Sequence, residues 1–280
     1  DSARVFAKRK FSSAVLNFSP DEKEVLSFVV NKTNKWLLDN EINLMANQPW
    51  RFIKIENWLC GGFAHTRGSY IIISQAYLDR LTIDWNTDMN KEKESRLVTS
   101  LGGLLVHEQM HSLQRTFKSK FHRLYSKNWN FIRHKVKDEN EITIDQVSNP
   151  DAPIAEWIIP DPKDKKKFYW IRTLITKNAD IPVMGRDFID TAFQINNKNN
   201  TYSVSKVNDT LSSMPLSDLE FYNKSFPVKR GLDHPNEISA YMFSDFFKAR
   251  YNSKIPFLNK DPISNNNSKI FLKWIKSEMK

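Results

Sequence analysis

The chain has 280 residues, 40% of them apolar and 12% aromatic, including eight Trp and nineteen Phe. That supplies a large core and excludes a disordered or collagen-like chain. No stretch approaches the roughly 18 uncharged apolar residues of a membrane-spanning helix. The formal net charge of +10 would suit nucleic acid or an anionic surface, but the lysines are spread along the chain among many Asn, so no nucleic-acid partner is expected.

Cys60 is the one cysteine, which rules out an intrachain disulfide. The opening DSARVF lacks Met. It suggests a removed leader and a secreted or extracytoplasmic bacterial protein, with the cytoplasm as the alternative.

In chain order, Ser19-Pro20-Asp21-Glu22 spells a helix start. Serine stands at the N-cap, proline at the first turn and glutamate completes a capping box. The helix should run to about residue 46 and bury Val25, Leu26, Val29, Trp36 and Leu37. Residues 50–56 (WRFIKIE) alternate like a strand. Gly61-Gly62 marks a turn, residues 69–74 (SYIIIS) form a second strand, and residues 75–81 are helical. Helical patterning then runs from Ser95 to about Lys120, with Gly102-Gly103 marking a close approach to the sheet or a later helix start. A further helical piece covers roughly residues 122–134. Residues 142–207 read as a β-rich insertion within a single domain spanning residues 1–280. In it, DPKDKKK (161–167) is a solvated hairpin loop and residues 196–200 form a polar tip. Helix returns at residues 234–251 and 268–279.

The chemistry sits in residues 101–115, LGGLLVHEQMHSLQR. His107 and His111 are four apart, so on a helix both imidazoles leave one face and can hold one zinc ion. Glu108 lies one step round the helix, placed to take a proton from a water activated by the metal. The leucines at 101, 104, 105 and 113 fall away from that face, so one side of the helix should be buried and the other catalytic.

A catalytic zinc needs a third protein ligand. Position 114 is Gln and position 117 is Phe, which excludes a third histidine at the spacing of extended histidine motifs. His122, His134, Glu141 and Glu237 remain. Glu141 lies in a highly charged stretch. Glu237 lies on HPNEISAYMFSDFF, a helix with an apolar face at Ile238, Met242 and Phe246, and a ligand needs a packed, rigid element. Glu237 is therefore preferred. Tyr241, one turn beyond it, and His234, just before Pro235, are candidate donors to an oxyanion. Asp245 is a candidate acceptor for a ligand imidazole.

HEQMH followed by Gln114-Arg115, with a later N-E-x-x-A-Tyr helix, resembles the gluzincin-type zinc metallopeptidases. The sequence is more closely similar to poorly characterised bacterial zincin-like proteins with an H-E-x-x-H-x-x-Q-R helix. The segments HTRGSYIII (65–73), RLYSKNWNF (123–131), NPD (149–151) and HPNE (234–237) add to the likeness. The resemblance implies an α+β zincin-like fold: a twisted, mostly antiparallel sheet packed on an active-site helix and a helical C-terminal part. It also implies His107, His111 and Glu237 as zinc ligands, Glu108 as base and a polypeptide substrate. In such folds the strand before the metal helix is an edge strand that binds extended peptide, a place that residues 70–73 would fill. The chain departs from thermolysin in the long interval from His111 to Glu237. A zinc-containing binding protein without turnover is the alternative from another class, and a basic nucleic-acid-associated protein is a further one.

Overall fold

A computed structural model describes all residues except 1, 87, 138–141, 143, 144, 148, 153–155, 177–182, 184, 185 and 252–264. The fold is α+β, and the chain divides into two compact units. The first comprises Asp1–Thr116, Phe243–Pro262 and Ile275–Lys280. The second comprises Phe117–Met242 and Ile263–Trp274.

The first unit opens with α1 (Ser2–Ser13) and β1 (Val15–Leu16), then α2 (Pro20–Asp39) and the short α3 (Asn43–Ala46). The capping box forms as the sequence requires: Glu22 N–H donates to Ser19 Oγ at 3.2 Å, and Ser19 N–H donates to the Glu22 carboxylate at 2.8 Å. Val25, Leu26, Val29, Trp36 and Leu37 are buried along α2. The helix expected to reach residue 46 stops at Asp39. Glu41 takes a left-handed φ of 59° and Ile42 turns inward before α3 starts.

β2 (Phe52–Ile55), β3 (His65–Arg67) and β4 (Tyr70–Ser74) join β1 in a sheet of order β1-β2-β4-β3. β2 and β4 are parallel and the outer pairs are antiparallel. This corrects the expectation for residues 70–73. They lie on β4, which is paired on both sides, and the edge strand beside it is β3. Ile71, Ile72 and Ile73 are buried on both faces, as an interior strand demands.

α4 (Gln75–Trp85) and α5 (Lys91–Leu97) follow, then a widened π turn (Val98–Gly102) that leads into α6 (Gly103–Thr116). α6 packs on β3 and β4. Gly102 and Gly103 mark a close approach to helices and not to the sheet. A Cβ on Gly102 would lie 2.7 Å from Thr33 Oγ1 on α2 and 3.0 Å from the Phe247 ring, and one on Gly103 would overlap the Lys248 side chain. The Ser244 hydroxyl donates to the Gly103 carbonyl at 2.7 Å, fastening the same turn.

The second unit holds α7 (Lys118–Arg123), a π turn (Leu124–Asn128), β5 (Ile132–Arg133) and β6 (Val136–Lys137). Helix thus ends at Asn128, short of the expected residue 134, and a strand starts at Ile132. β7 (Trp157–Pro160), β8 (Phe168–Ile175), β9 (Phe188–Lys198), β10 (Thr201–Val204), β11 (Lys206–Val207), β12 (Thr210–Leu211) and β13 (Ser213–Pro215) continue the β-rich region. β5-β7-β8-β9-β10-β6 form one sheet, with β13 also on β9. All its pairings are antiparallel except β10 with β6. The loop between β7 and β8 is the expected solvated turn, closed by Asp161 N–H to the Lys167 carbonyl at 2.9 Å. Asn199 and Asn200, both with positive φ, form the tip between β9 and β10.

Inward-facing Ile158, Trp170, Phe193, Ile195, Tyr202 and Val204 form one core of this unit. The aromatic content goes largely into a second cluster. Tyr125 stacks near Trp129, which meets Phe226 and Phe271, and Phe131 meets Phe226 and Tyr222. α8 (Glu220–Ser225), the first half of α9 (Pro235–Arg250) and most of α10 (Asn266–Glu278) complete the unit.

Candidate metal centre

α6 carries His107, Glu108 and His111, and it is buried nearly all round; only Leu104 is half-exposed along residues 103–114. The expected division into a core face and an open face is therefore not seen. His107 is 7% exposed, Glu108 2% and His111 0%. The two Nε2 atoms lie 3.1 Å apart. Two nitrogens bound tetrahedrally to one zinc would be about 3.4 Å apart, given bond lengths near 2.0–2.1 Å. His111 Nδ1 is 2.9 Å from Gln114 Oε1, a carbonyl acceptor. That bond places the imidazole proton on Nδ1 and leaves the Nε2 lone pair for a cation. Sequence reasoning offered Asp245 for this orienting role, but Asp245 is exposed and Gln114, one turn beyond His111 on its own helix, takes it.

Glu108 is held from β3. The Thr66 hydroxyl lies 2.7 Å from Glu108 Oε2 and 2.9 Å from the Glu108 carbonyl, and Arg115 donates to the Thr66 carbonyl at 3.0 Å. The strand thus fixes both the rotamer of the carboxylate and the helix that bears it.

Glu237 lies in the first turn of α9 and is 5% exposed. Asn149 Nδ2 donates to its Oε1 at 2.9 Å, while Asn149 Oδ1 accepts from Asp151 N–H at 2.8 Å. One carboxamide therefore positions both Glu237 and the turn bearing Asp151. His107, His111 and Glu237 form a buried group whose ligand atoms all lie within 4.8 Å of one another. Glu108, His111 and Asp151 form a second such group. Either donor set, imidazole nitrogen with carboxylate oxygen, suits a divalent ion such as zinc.

The remaining candidates are placed as follows. His234 is buried, and its Nδ1 accepts the Asn236 N–H at 3.0 Å, capping α9. Tyr241 is half-exposed, with the Arg230 guanidinium 4.7 Å from its ring centroid. His122 and His134 lie in the second unit, the first 5.4 Å from the Trp157 ring and the second 4.4 Å from the Tyr202 ring. Neither is in the two groups above. Glu141 lies outside the described residues.

Thr66, Gln114, Asn149 and Asp151 were not singled out for these roles from the sequence. Two further groups near Glu237 were also missed. Desolvation of the Asp233 carboxyl, then the negative charges of Glu237 and Asp190, push its pKa up to about 7. The buried Tyr125 hydroxyl lies 3.2 Å from Ser239 Oγ, and burial raises its pKa well above the ordinary value, so it is a protonated donor.

No protein-family model, curated protein or solved structure matches the chain.

Proposed function

We propose that the protein is a zinc-dependent metallopeptidase with a zincin-like active site, in which His107, His111 and Glu237 hold the metal and Glu108 is the base. The observation that carries this reading is the buried group of His107, His111 and Glu237, with both histidines drawn from one H-E-x-x-H helix. Two imidazoles and one carboxylate leave a bound zinc with net positive charge, and the metal would supply Lewis acidity toward a carbonyl and acidify the attacking water.

The chain's own residues do the rest. Glu108, fixed by Thr66, takes a proton from the attacking water and returns it to the leaving amine. Gln114 keeps the His111 lone pair directed at the metal, and Asn149 holds the Glu237 carboxylate against rotation. His234 and Tyr241 are the proposed donors to the developing oxyanion, tested by kcat in His234→Phe and Tyr241→Phe. The short edge strand β3, next to α6, is the proposed seat for an extended polypeptide.

The extent of burial at Glu108 favours a second reading, a zinc-containing binding protein without turnover. Elemental analysis and a peptide-library digest of wild type, Glu237→Ala and Glu108→Gln separate the two. A peptidase shows one zinc per chain, sharply reduced in Glu237→Ala, and Glu108→Gln keeps the zinc while losing cleavage. A zinc-loaded wild type that cleaves nothing in the library leaves the binding reading. No zinc in the wild type after reconstitution sinks both.

A further inference from the structure

The end of the first unit's sheet where α1 enters β1 carries a second kind of surface. Every described side chain of α1 is exposed except Ala7, which is half-buried. A helix of 12 residues has little stability alone in water, so one with so few intramolecular contacts depends on something covering it. Its sequence, SARVFAKRKFSS, bears Arg4, Lys8, Arg9 and Lys10 and no acidic residue. At helical spacing Phe6, Ala7 and Lys10 share one side, flanked by Phe11, while Arg4, Lys8 and Ser12 share another. Phe6 is 67% exposed.

β1 runs antiparallel to β2, so the start of β1 lies where β2 ends. The Glu56 N–H to Ala14 carbonyl bond at 2.8 Å marks this juncture. From there the chain makes the loop Trp58-Leu59-Cys60-Gly61-Gly62-Phe63. Cys60, Gly61 and Gly62 all adopt left-handed φ, of 51°, 64° and 73°. This bend leaves Trp58 50% and Phe63 53% exposed on either side of it. Lys10 Nζ lies 5.6 Å from the Trp58 ring centroid, so helix and loop are neighbours. Exposed aromatics on a tight loop, beside a basic helix with exposed phenylalanines, meet the demands of the membrane interface. The rings enter the acyl boundary while arginine and lysine meet anionic headgroups. Glu56, at this juncture, is half-buried.

We propose that α1 and the Trp58–Phe63 loop form a peripheral docking surface for an anionic lipid bilayer. The charge complementarity is with the headgroups, and the loop aromatics supply the apolar part that a purely polyanionic partner would not use. The proposal is independent of the metal centre.

Cys60 makes the test direct, because it is the single thiol, is exposed and sits at the loop tip. The wild-type protein is labelled there with a polarity-sensitive fluorophore. It is mixed with vesicles of phosphatidylcholine alone or of equal parts phosphatidylcholine and phosphatidylserine. The expected result is co-sedimentation and a blue-shifted, brighter signal with the anionic vesicles only, weakened by salt. Trp58→Ser/Phe63→Ser should lower partitioning on the order of tenfold or more, and Arg4→Ser/Lys8→Ser/Arg9→Ser on the order of 100-fold. Absence of sedimentation overturns the proposal. So does sedimentation with an unchanged label signal, which places the contact elsewhere. Binding to heparin that matches vesicle binding and ignores the loop variant also overturns it, in favour of a simple polyanion site.

Discussion

Glu22 and Lys54 form an ion pair buried in the first unit, their side chains 4% and 6% exposed and 2.8 Å apart. Lys54 also donates to the Asn17 carbonyl, and Glu22 accepts from Ser19 N–H, so the pair supplies its own countercharge and most of its hydrogen bonds. The equally buried Glu108 and Glu237 each accept a hydrogen bond from a neutral donor, a threonine hydroxyl and an asparagine carboxamide. A hydroxyl and a carboxamide orient a carboxylate without neutralising it. In the first cluster the chain closes the electrostatic account with a lysine. In the second, positioning groups accompany donors that could hold a metal ion. The lysine sets the charge balance of Glu22, whereas the Thr66 and Asn149 contacts set the orientation of Glu108 and Glu237.

The largest effect is expected from breaking the matched pair. Glu22→Ala or Lys54→Ala leaves one buried charge without its partner and should cost about 3–5 kcal/mol of unfolding free energy, read from urea denaturation. The double variant Glu22→Leu/Lys54→Met should recover much of that loss. If the double variant is as unstable as the singles, the pair is contributing through something other than mutual neutralisation.

Next comes metal removal. At a free zinc concentration 100 times its Kd, binding to the native state stabilises it by about 2.7 kcal/mol. Chelation should therefore lower the melting temperature of the wild type. Chelator and zinc should make no difference in His111→Ala, and should affect Lys54→Ala as much as the wild type. An equal chelator response in His111→Ala would show that zinc binds elsewhere.

A smaller effect is expected one layer out. Gln114→Ala and Asn149→Ala leave all three proposed ligands in place but release an imidazole or a carboxylate to rotate. Zinc affinity should fall about 10–100-fold in each, measured by competition with a chromogenic chelator. Unfolding free energy without metal should change far less than in the Lys54 variant. A variant with unchanged affinity removes that side chain from the positioning scheme.

What could be read beforehand follows the range of the interactions. The α2 capping box uses Ser19 and Glu22, three residues apart, and the H-E-x-x-H helix sets its own spacing, so both are written in contiguous sequence. Val25, Val29 and Leu37 declare their buried face by period alone. The strand roles were not legible in this way. Residues 70–73 read correctly as a strand, but whether β4 or β3 stands at the edge depends on pairing partners distant in sequence. The all-round burial of α6 likewise depends on which elements cover its polar face. Thr66 reaches Glu108 across 42 positions and Asn149 reaches Glu237 across 88. Nothing local assigns either its partner, although both lie in segments that carry the likeness to zincins. Gln114 was the exception within reach, since a turn-to-turn bond from position 111 is a short-range possibility, and the preference for an acidic acceptor obscured it.

The smallest expected effect tests whether the matched cluster is one unit or two. Ser19 Oγ accepts the Glu22 N–H, while the Glu22 carboxylate serves both Ser19 N–H and Lys54. Ser19→Ala removes only the first of these bonds, and an N-cap serine contributes about 1 kcal/mol. If capping and ion pairing are independent, Ser19→Ala should cost that much in the wild type and the same in Glu22→Leu/Lys54→Met. If Ser19 holds α2 so that Glu22 meets Lys54, the cost should exceed 1 kcal/mol in the wild type and shrink toward it in the double variant. The geometry favours independence, because the carboxylate is already restrained by the Lys54 ammonium and the Ser19 amide without the hydroxyl. The four unfolding curves of that cycle measure the coupling, and none of them should respond differently to zinc.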